Sequence, residues 1–131
     1  MDYVYGFEKL EVWQNARLFV KEVYLLTGNF SNSEKFGLTS QMQRAAISVA
    51  SNIAEGSGRM STNEQRHFFE IAFGSLMETY SQLCLANDLN YISNSDINNI
   101  KPLIDKIASQ LSLLRKRIIE KEKENENKVQ Q

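Results

Sequence analysis

Seven aliphatic residues, Ile97, Ile100, Ile104, Ile107, Leu111, Leu114 and Ile118, recur at alternating intervals of three and four along the last third of the chain. That rhythm returns to one face of an α-helix about every 3.5 residues, and the resulting seam needs an apolar partner along its length. A chain carrying such a seam has to pack helix against helix. The rest of the sequence supplies the partners. Residues 10–27 place Val12, Ala16, Phe19, Val23 and Leu26 on one stripe, with Trp13, Val20 and Tyr24 beside it. Gly28 to Ser33 then reads as a helix stop and loop.

A second helix is predicted to begin at Thr39 or Ser40, where Ser40 and Gln43 have the spacing of a capping box. Leu38, Met42, Ala45, Val49 and Ile53 form its buried row, and Ala46, Ala50 and Ala54 make an adjacent line of small side chains suited to close helix approach. Gly56-Ser57-Gly58 ends it, with Gly56 placed for a left-handed cap. Ser61 and Glu64 form another capping box, which opens a third helix over 61–91. Its rows are Phe69, Ala72, Leu76, Leu83 and Ala86, and Phe73, Met77, Tyr80 and Cys84. The fourth helix starts near Ser95 and meets Pro102, which predicts a kink or a separate first turn. Beyond Ile119 no apolar face remains, so 120–131 is predicted to fray as a charged tail behind a single domain over 1–119.

The expected fold is therefore all-α, an up-down-up-down four-helix bundle. One Pro and six Gly in 131 residues leave little punctuation for a many-turned β protein. Helices one and three carry more apolar surface than one bundle core covers, which predicts self-association. The single thiol, Cys84, has no partner for an internal disulfide, and the first residues lack the basic and apolar segments of a secretion signal. A cytoplasmic location is expected. No apolar run approaches the roughly 20 residues that cross a bilayer, so no membrane partner is expected.

The chemistry of the chain is sparse. Glu64-x-x-His67 is half of the ligand pair that di-iron bundles use twice, but His67 is the only histidine and the pair opens a helix, so a first-turn acid and a surface imidazole are expected. The same lone histidine leaves no pattern for a hydrolytic triad, and the glycines lack the setting of a phosphate-cradling loop. No catalysis, metal or cofactor is expected, and Cys84 reads as a core residue. What stands out is the second helix, where Arg44, Ser48, Ser51, Asn52 and Glu55 share one polar side, followed by Gly58, Arg59 and Arg66.

Net charge is −1, from 15 Lys and Arg against 16 Asp and Glu, so nucleic-acid binding has to come from a local patch. Between 35 and 66 the cations Lys35, Arg44, Arg59 and Arg66 outnumber the acids Glu55 and Glu64. That excess is slight in one chain and is multiplied if copies assemble. The competing reading is a structural network of Arg44, Asn52, Glu55 and Glu78 that fixes helix two on helix three or one copy on the next. Arg115-Lys116-Arg117 is a second basic spot, near a helix carboxyl end where cations are favoured in any case.

Phe7-x-x-Leu10-x-Val12-Trp13, Phe36-Gly37-Leu38-Thr39-Ser40-Gln41, Arg44-Ala45-Ala46, Ser51-Asn52-Ile53-Ala54-Glu55-Gly56-x-Gly58-Arg59 and Gly74-Ser75-Leu76-x-Glu78 together resemble the bacterial ribosomal-RNA intervening-sequence proteins, across roughly 7–118. That family is similar to the accessory variability determinant of diversity-generating retroelements. The resemblance implies a barrel-shaped homopentamer of bundles without catalysis. For the retroelement branch it also implies a basic surface that binds nucleic acid and a reverse transcriptase. Arg44, Asn52, Glu55, Gly56, Gly58 and Arg59 match the family's polar motif. Ala50 replaces a common Pro, Pro102 falls where relatives continue the helix, and the near-neutral charge departs from the strongly basic branch. The expected function is a non-enzymatic, ring-forming bundle that binds structured RNA or DNA, with Lys35, Arg44, Arg59 and Arg66 as phosphate contacts. The alternative is a protein-interaction scaffold whose polar motif serves assembly alone.

Overall fold

The computed structural model describes residues 3–34 and 36–130. Four helices, α1 (Glu11–Thr27), α2 (Leu38–Ser57), α3 (Thr62–Asp88) and α4 (Asn94–Gln130), follow one another with short connections, and among the described residues there is no strand. Each helix packs on its neighbours in sequence and α4 returns to α1, which is the up-down-up-down arrangement. The pairing of α2 with α3 is the most extensive. Small residues at that seam, Ala45, Ala46 and Gly56 on α2 and Ala72 and Ser75 on α3, are all buried and let the two backbones approach closely.

The apolar periodicities become the core. Val12, Ala16, Phe19 and Val23 of α1, Met42, Val49 and Ile53 of α2, and Phe69, Leu76 and Leu83 of α3 are buried together with Ile100, Ile104, Ile107, Leu111 and Ile118 of α4. Ile97 and Leu114 of the seam are half-buried at its margins. Each fully buried aliphatic side chain contributes roughly 1.5–3 kcal/mol relative to exposure.

Helix boundaries show where local signals were overruled. Ser61 caps α3 as its spacing predicts, its hydroxyl accepting the Glu64 amide at 3.1 Å. At α2 the Ser40 and Gln43 box does not form. The helix begins at Leu38 behind Gly37, and the Glu34 carboxylate accepts the Leu38 amide at 3.2 Å, so Ser40 already lies inside the first turn. Gly56 is a second correction: it is buried within α2 and no described glycine has a positive φ. A Cβ there would sit 2.9 Å from Phe69 Cε1 and 3.1 Å from Phe68 Cβ, so the glycine serves helix contact. The left-handed residue is Asn90, φ 65°, behind a third helix that stops at Asp88 short of the predicted Tyr91. Tyr91 donates its amide back to the Ala86 carbonyl at 2.9 Å, closing that end.

α4 opens with a reciprocal box in which the Ser93 amide reaches the Asp96 carboxylate and the Asp96 amide reaches Ser93 Oγ, each at 3.0 Å. The helix then includes Pro102 without ending. Pro102 lies on the exposed side, as does Asn98, whose carbonyl loses its donor to the proline, so water can satisfy it while Ile100 and Ile104 hold the opposite face in the core. The segment predicted to fray also continues the helix, through Gln130. Its composition favours helix, and the Arg66 guanidinium reaches across to Glu122 at 3.4 Å. No helix among the described residues is long and apolar enough to cross a membrane.

Candidate functional site

The polar side of α2 faces α3 and becomes a ladder between the two helices. At its inner part Ser48 Oγ lies 2.8 Å from Ser75 Oγ, and Asn52 Nδ2 donates to the Ser48 carbonyl at 2.8 Å and to its hydroxyl at 2.9 Å. Thr79, fully buried, donates its hydroxyl to the Ser75 carbonyl at 2.8 Å. The Ser48, Ser75 and Thr79 hydroxyls and the Asn52 amide nitrogen are thus all hydrogen-bonded, as burial requires. At the outer edge Arg44 bridges the helices, donating to Gln41 Oε1 at 2.9 Å and to Glu78 Oε1 at 3.2 Å. Arg44 remains 62% exposed, so the pair contributes about 0–1 kcal/mol.

The elbow between α2 and α3 holds the rest of the polar motif. Arg59 pairs with Glu55 one helical turn before it, lies 4.0 Å from Glu64, and stacks 4.8 Å over the Phe68 ring. Its carbonyl accepts from Gln65 Nε2 at 2.9 Å. Gly56 is required by the packing of Phe68 and Phe69, whereas Gly58, with φ −87° and a Cβ position 3.6 Å from the nearest carbonyl, has ordinary helical geometry. Met60 at the apex is fully exposed.

Arg66 looks the other way, toward α4. Its Nη2 donates to Asn63 Oδ1 at 3.0 Å, Nη1 lies 3.7 Å from Glu70, and Nε lies 3.4 Å from Glu122. Glu70 is shared, since Arg115 Nε reaches it at 2.5 Å. The structure thus places Arg44, Arg59 and Arg66 at three separate stations along the α2–α3 hairpin and supplies each with carboxylates. Lys35 lies outside the described residues. Of the expected structural network, Arg44 with Glu78 ties α2 to α3, whereas Asn52 bonds Ser48 within α2 and reaches α3 only through the Ser48–Ser75 contact, and Glu55 turns to Arg59 instead. The partners that sequence reading missed are Glu70, Glu122 and Arg115. Only Arg66 with Glu70 had a readable signal, the i,i+4 spacing on one helix.

Glu64 is drawn toward Arg59 and His67 meets the edge of Phe68, 5.4 Å between ring centres, so the two do not form a ligand pair. Among the described residues no group of three or more His, Cys, Asp or Glu side chains is arranged to hold a metal ion. Cys84 is half-buried at the bundle edge instead of in the core. Its hydrogen bond with Tyr80 pushes that phenol above its usual 10.0. Lys101 lies 5.6 Å from the Tyr80 ring centre and bonds both Asp105 carboxylate oxygens at 2.9 and 3.1 Å, which holds its ammonium above its ordinary value. A cavity of about 380 Å³ lies between α3 and α4 over Phe69, Phe73 and Leu111, with Glu70 and Arg115 at its rim.

The chain is similar in fold to the crystal structure, at 1.70 Å resolution, of a protein of unknown function from the S23 ribosomal protein family of Bacteroides thetaiotaomicron VPI-5482. The two share 24% sequence identity with a TM-score of 0.73 over 79% of this chain and 95% of that one. No curated protein matches. The family model of the 23S rRNA-intervening sequence proteins matches residues 8–113, from the turn before α1 to the middle of α4 and so across most of the packed body and all of its polar motif. By that match, the chain belongs to the family of 23S rRNA-intervening sequence proteins.

Proposed function

We propose that this protein is a non-enzymatic helical bundle of the cytoplasm that associates with copies of itself, in a ring of five, and binds structured RNA or DNA through phosphate contacts. The observation that carries the reading is that Arg44, Arg59 and Arg66 line one helical hairpin with their guanidiniums pre-positioned by Glu78, Glu55 and Glu70 and still partly open to solvent. A guanidinium held in one orientation loses little freedom on meeting a phosphate. The neutral chain supplies no field of its own, so affinity requires several hairpins presented together. Apolar side chains left in water on α1, α2 and α3, among them Leu18, Leu25, Ile47 and Leu85, support such association. The family description, which names an intervening sequence of 23S rRNA, makes structured RNA the first ligand to try.

The test is a titration of ribosomal-RNA fragments at increasing salt, with mass in solution measured on the same sample. Affinity falls as salt rises, and Arg59→Glu weakens it; salt-independent binding, or an unchanged affinity in Arg59→Glu, refutes the reading. A scaffold without nucleic acid is favoured by the Ser48, Asn52 and Ser75 contacts, which spend the centre of the polar motif on helix packing. On that second reading Asn52→Ala shifts the oligomer in light scattering and RNA binding is absent.

A further inference from the structure

Arg66 is the most fully engaged of the three described candidate cations, and one of its partners comes from the last stretch of α4. Asn63 and Glu70 belong to the same helix as Arg66, but Glu122 belongs to the last stretch of α4, beyond Ile118, the last core residue of that helix. From 120 to 129, Glu122 is the only half-buried residue and the others are exposed. The Arg66 contact is therefore the one ion pair or side-chain hydrogen bond that fastens this stretch to the bundle among the described residues. The pair is the least exposed of the ion pairs, at 29% and 25%, yet an isolated partly exposed pair is worth only about 1 kcal/mol. A helical extension of this length has little stability of its own. It also carries Glu120, Glu122, Glu124 and Glu126 against Lys121, Lys123 and Lys128.

We propose that the α4 extension is a releasable strap, in which Glu122 occupies Arg66 and competes with phosphate oxygens for the same guanidinium. The inference rests on the reading that Arg66 contacts nucleic-acid phosphates. A carboxylate and a phosphate oxygen make the same charge-assisted hydrogen bond to Nε, so only one can hold it. Because nothing apolar anchors the extension, losing that one contact releases the whole stretch. A polyanion then gains a cation and displaces the Glu122 carboxylate in one step, and binding acquires a threshold set by the strap.

The experiment uses the full-length chain, with Glu122→Gln and, as a control of equal charge change away from any partner, Glu124→Gln. A fluorescein-labelled RNA hairpin is titrated at low salt by anisotropy, and amide exchange over 120–130 is followed in parallel. Glu122→Gln binds roughly 3–5-fold tighter than the parent, and Glu124→Gln changes less than about twofold. Exchange over 120–130 speeds up in Glu122→Gln and, in the parent, on adding RNA. Equal affinities of the two variants with a parent that binds overturn the strap and leave the binding reading standing. Unchanged exchange in Glu122→Gln overturns the strap without reference to RNA. If neither parent nor variants bind the hairpin, both the strap and the reading beneath it fall.

Discussion

Alanine introduced at two helical glycines is predicted to act with opposite signs. Gly56 and Gly74 both lie inside helices, so at either one alanine removes a backbone-entropy penalty of about 1 kcal/mol. At Gly74 a Cβ meets nothing within 4 Å, and that gain stands alone. At Gly56 the new Cβ lies 2.9 Å from Phe69 Cε1, 3.1 Å from Phe69 Cδ1 and 3.1 Å from Phe68 Cβ. The Phe69 ring is buried in the core, and Phe68 Cβ is fixed to the α3 backbone, so neither swings aside. Overpacking of this kind costs about 1–3 kcal/mol. Gly56→Ala is therefore a net loss of roughly 1 kcal/mol and Gly74→Ala a net gain of roughly the same size. In a domain of this length that moves Tm by about 3–5 °C in each direction. Urea unfolding followed by far-UV circular dichroism, with all variants at one protein concentration, measures both. Stabilisation by Gly56→Ala equal to that by Gly74→Ala would refute the close α2–α3 approach. Partial recovery in the double variant Gly56→Ala with Phe69→Leu would locate the strain at that ring.

Ser61→Ala removes the hydroxyl that accepts the Glu64 amide and lowers stability by about 1 kcal/mol in the same assay, whereas Ser40→Ala, inside a first turn it does not cap, changes it little. Pro102→Ala restores a donor to the Asn98 carbonyl on the exposed side of α4, and thermal unfolding rises by about 1 kcal/mol or more, less a few tenths for the freer unfolded chain. The Tyr80 phenol is held above 10.0 chiefly by its hydrogen bond with Cys84, so the folded state keeps that proton longer than the unfolded state. Stability is thus full below 10.0 and declines as pH rises through the shifted value. In Cys84→Ala the ultraviolet titration of Tyr80 moves down toward the ordinary value and the decline shrinks; an unmoved Tyr80 titration excludes Cys84 as the cause.

Apolar spacing was sufficient for the helices because burial acts on a whole stripe: Ile100 to Ile118 all reach the core or its margin although Pro102 interrupts them. Capping was legible where the box residues directly adjoin the helix, as at Ser61, and misleading at Ser40, because Glu34 arrives from the preceding loop to do the same task. Gly56 was recognised as special for the wrong reason. A left-handed turn and a close helix contact both select glycine, and sequence spacing does not separate them. The tail looked unanchored since its single attachment, Glu122 to Arg66, joins residues 56 positions apart.

The order and type of the helices, the identity of the core stripes and the family were decided by the sequence alone, because periodicity, capping chemistry and a motif are local or linear properties. Which acid neutralises which cation was decided only by the tertiary structure. Charges on a helix surface have several carboxylates within reach of their flexible side chains, and the choice among Glu55, Glu70, Glu78 and Glu122 depends on how α2, α3 and α4 are rotated and set against one another.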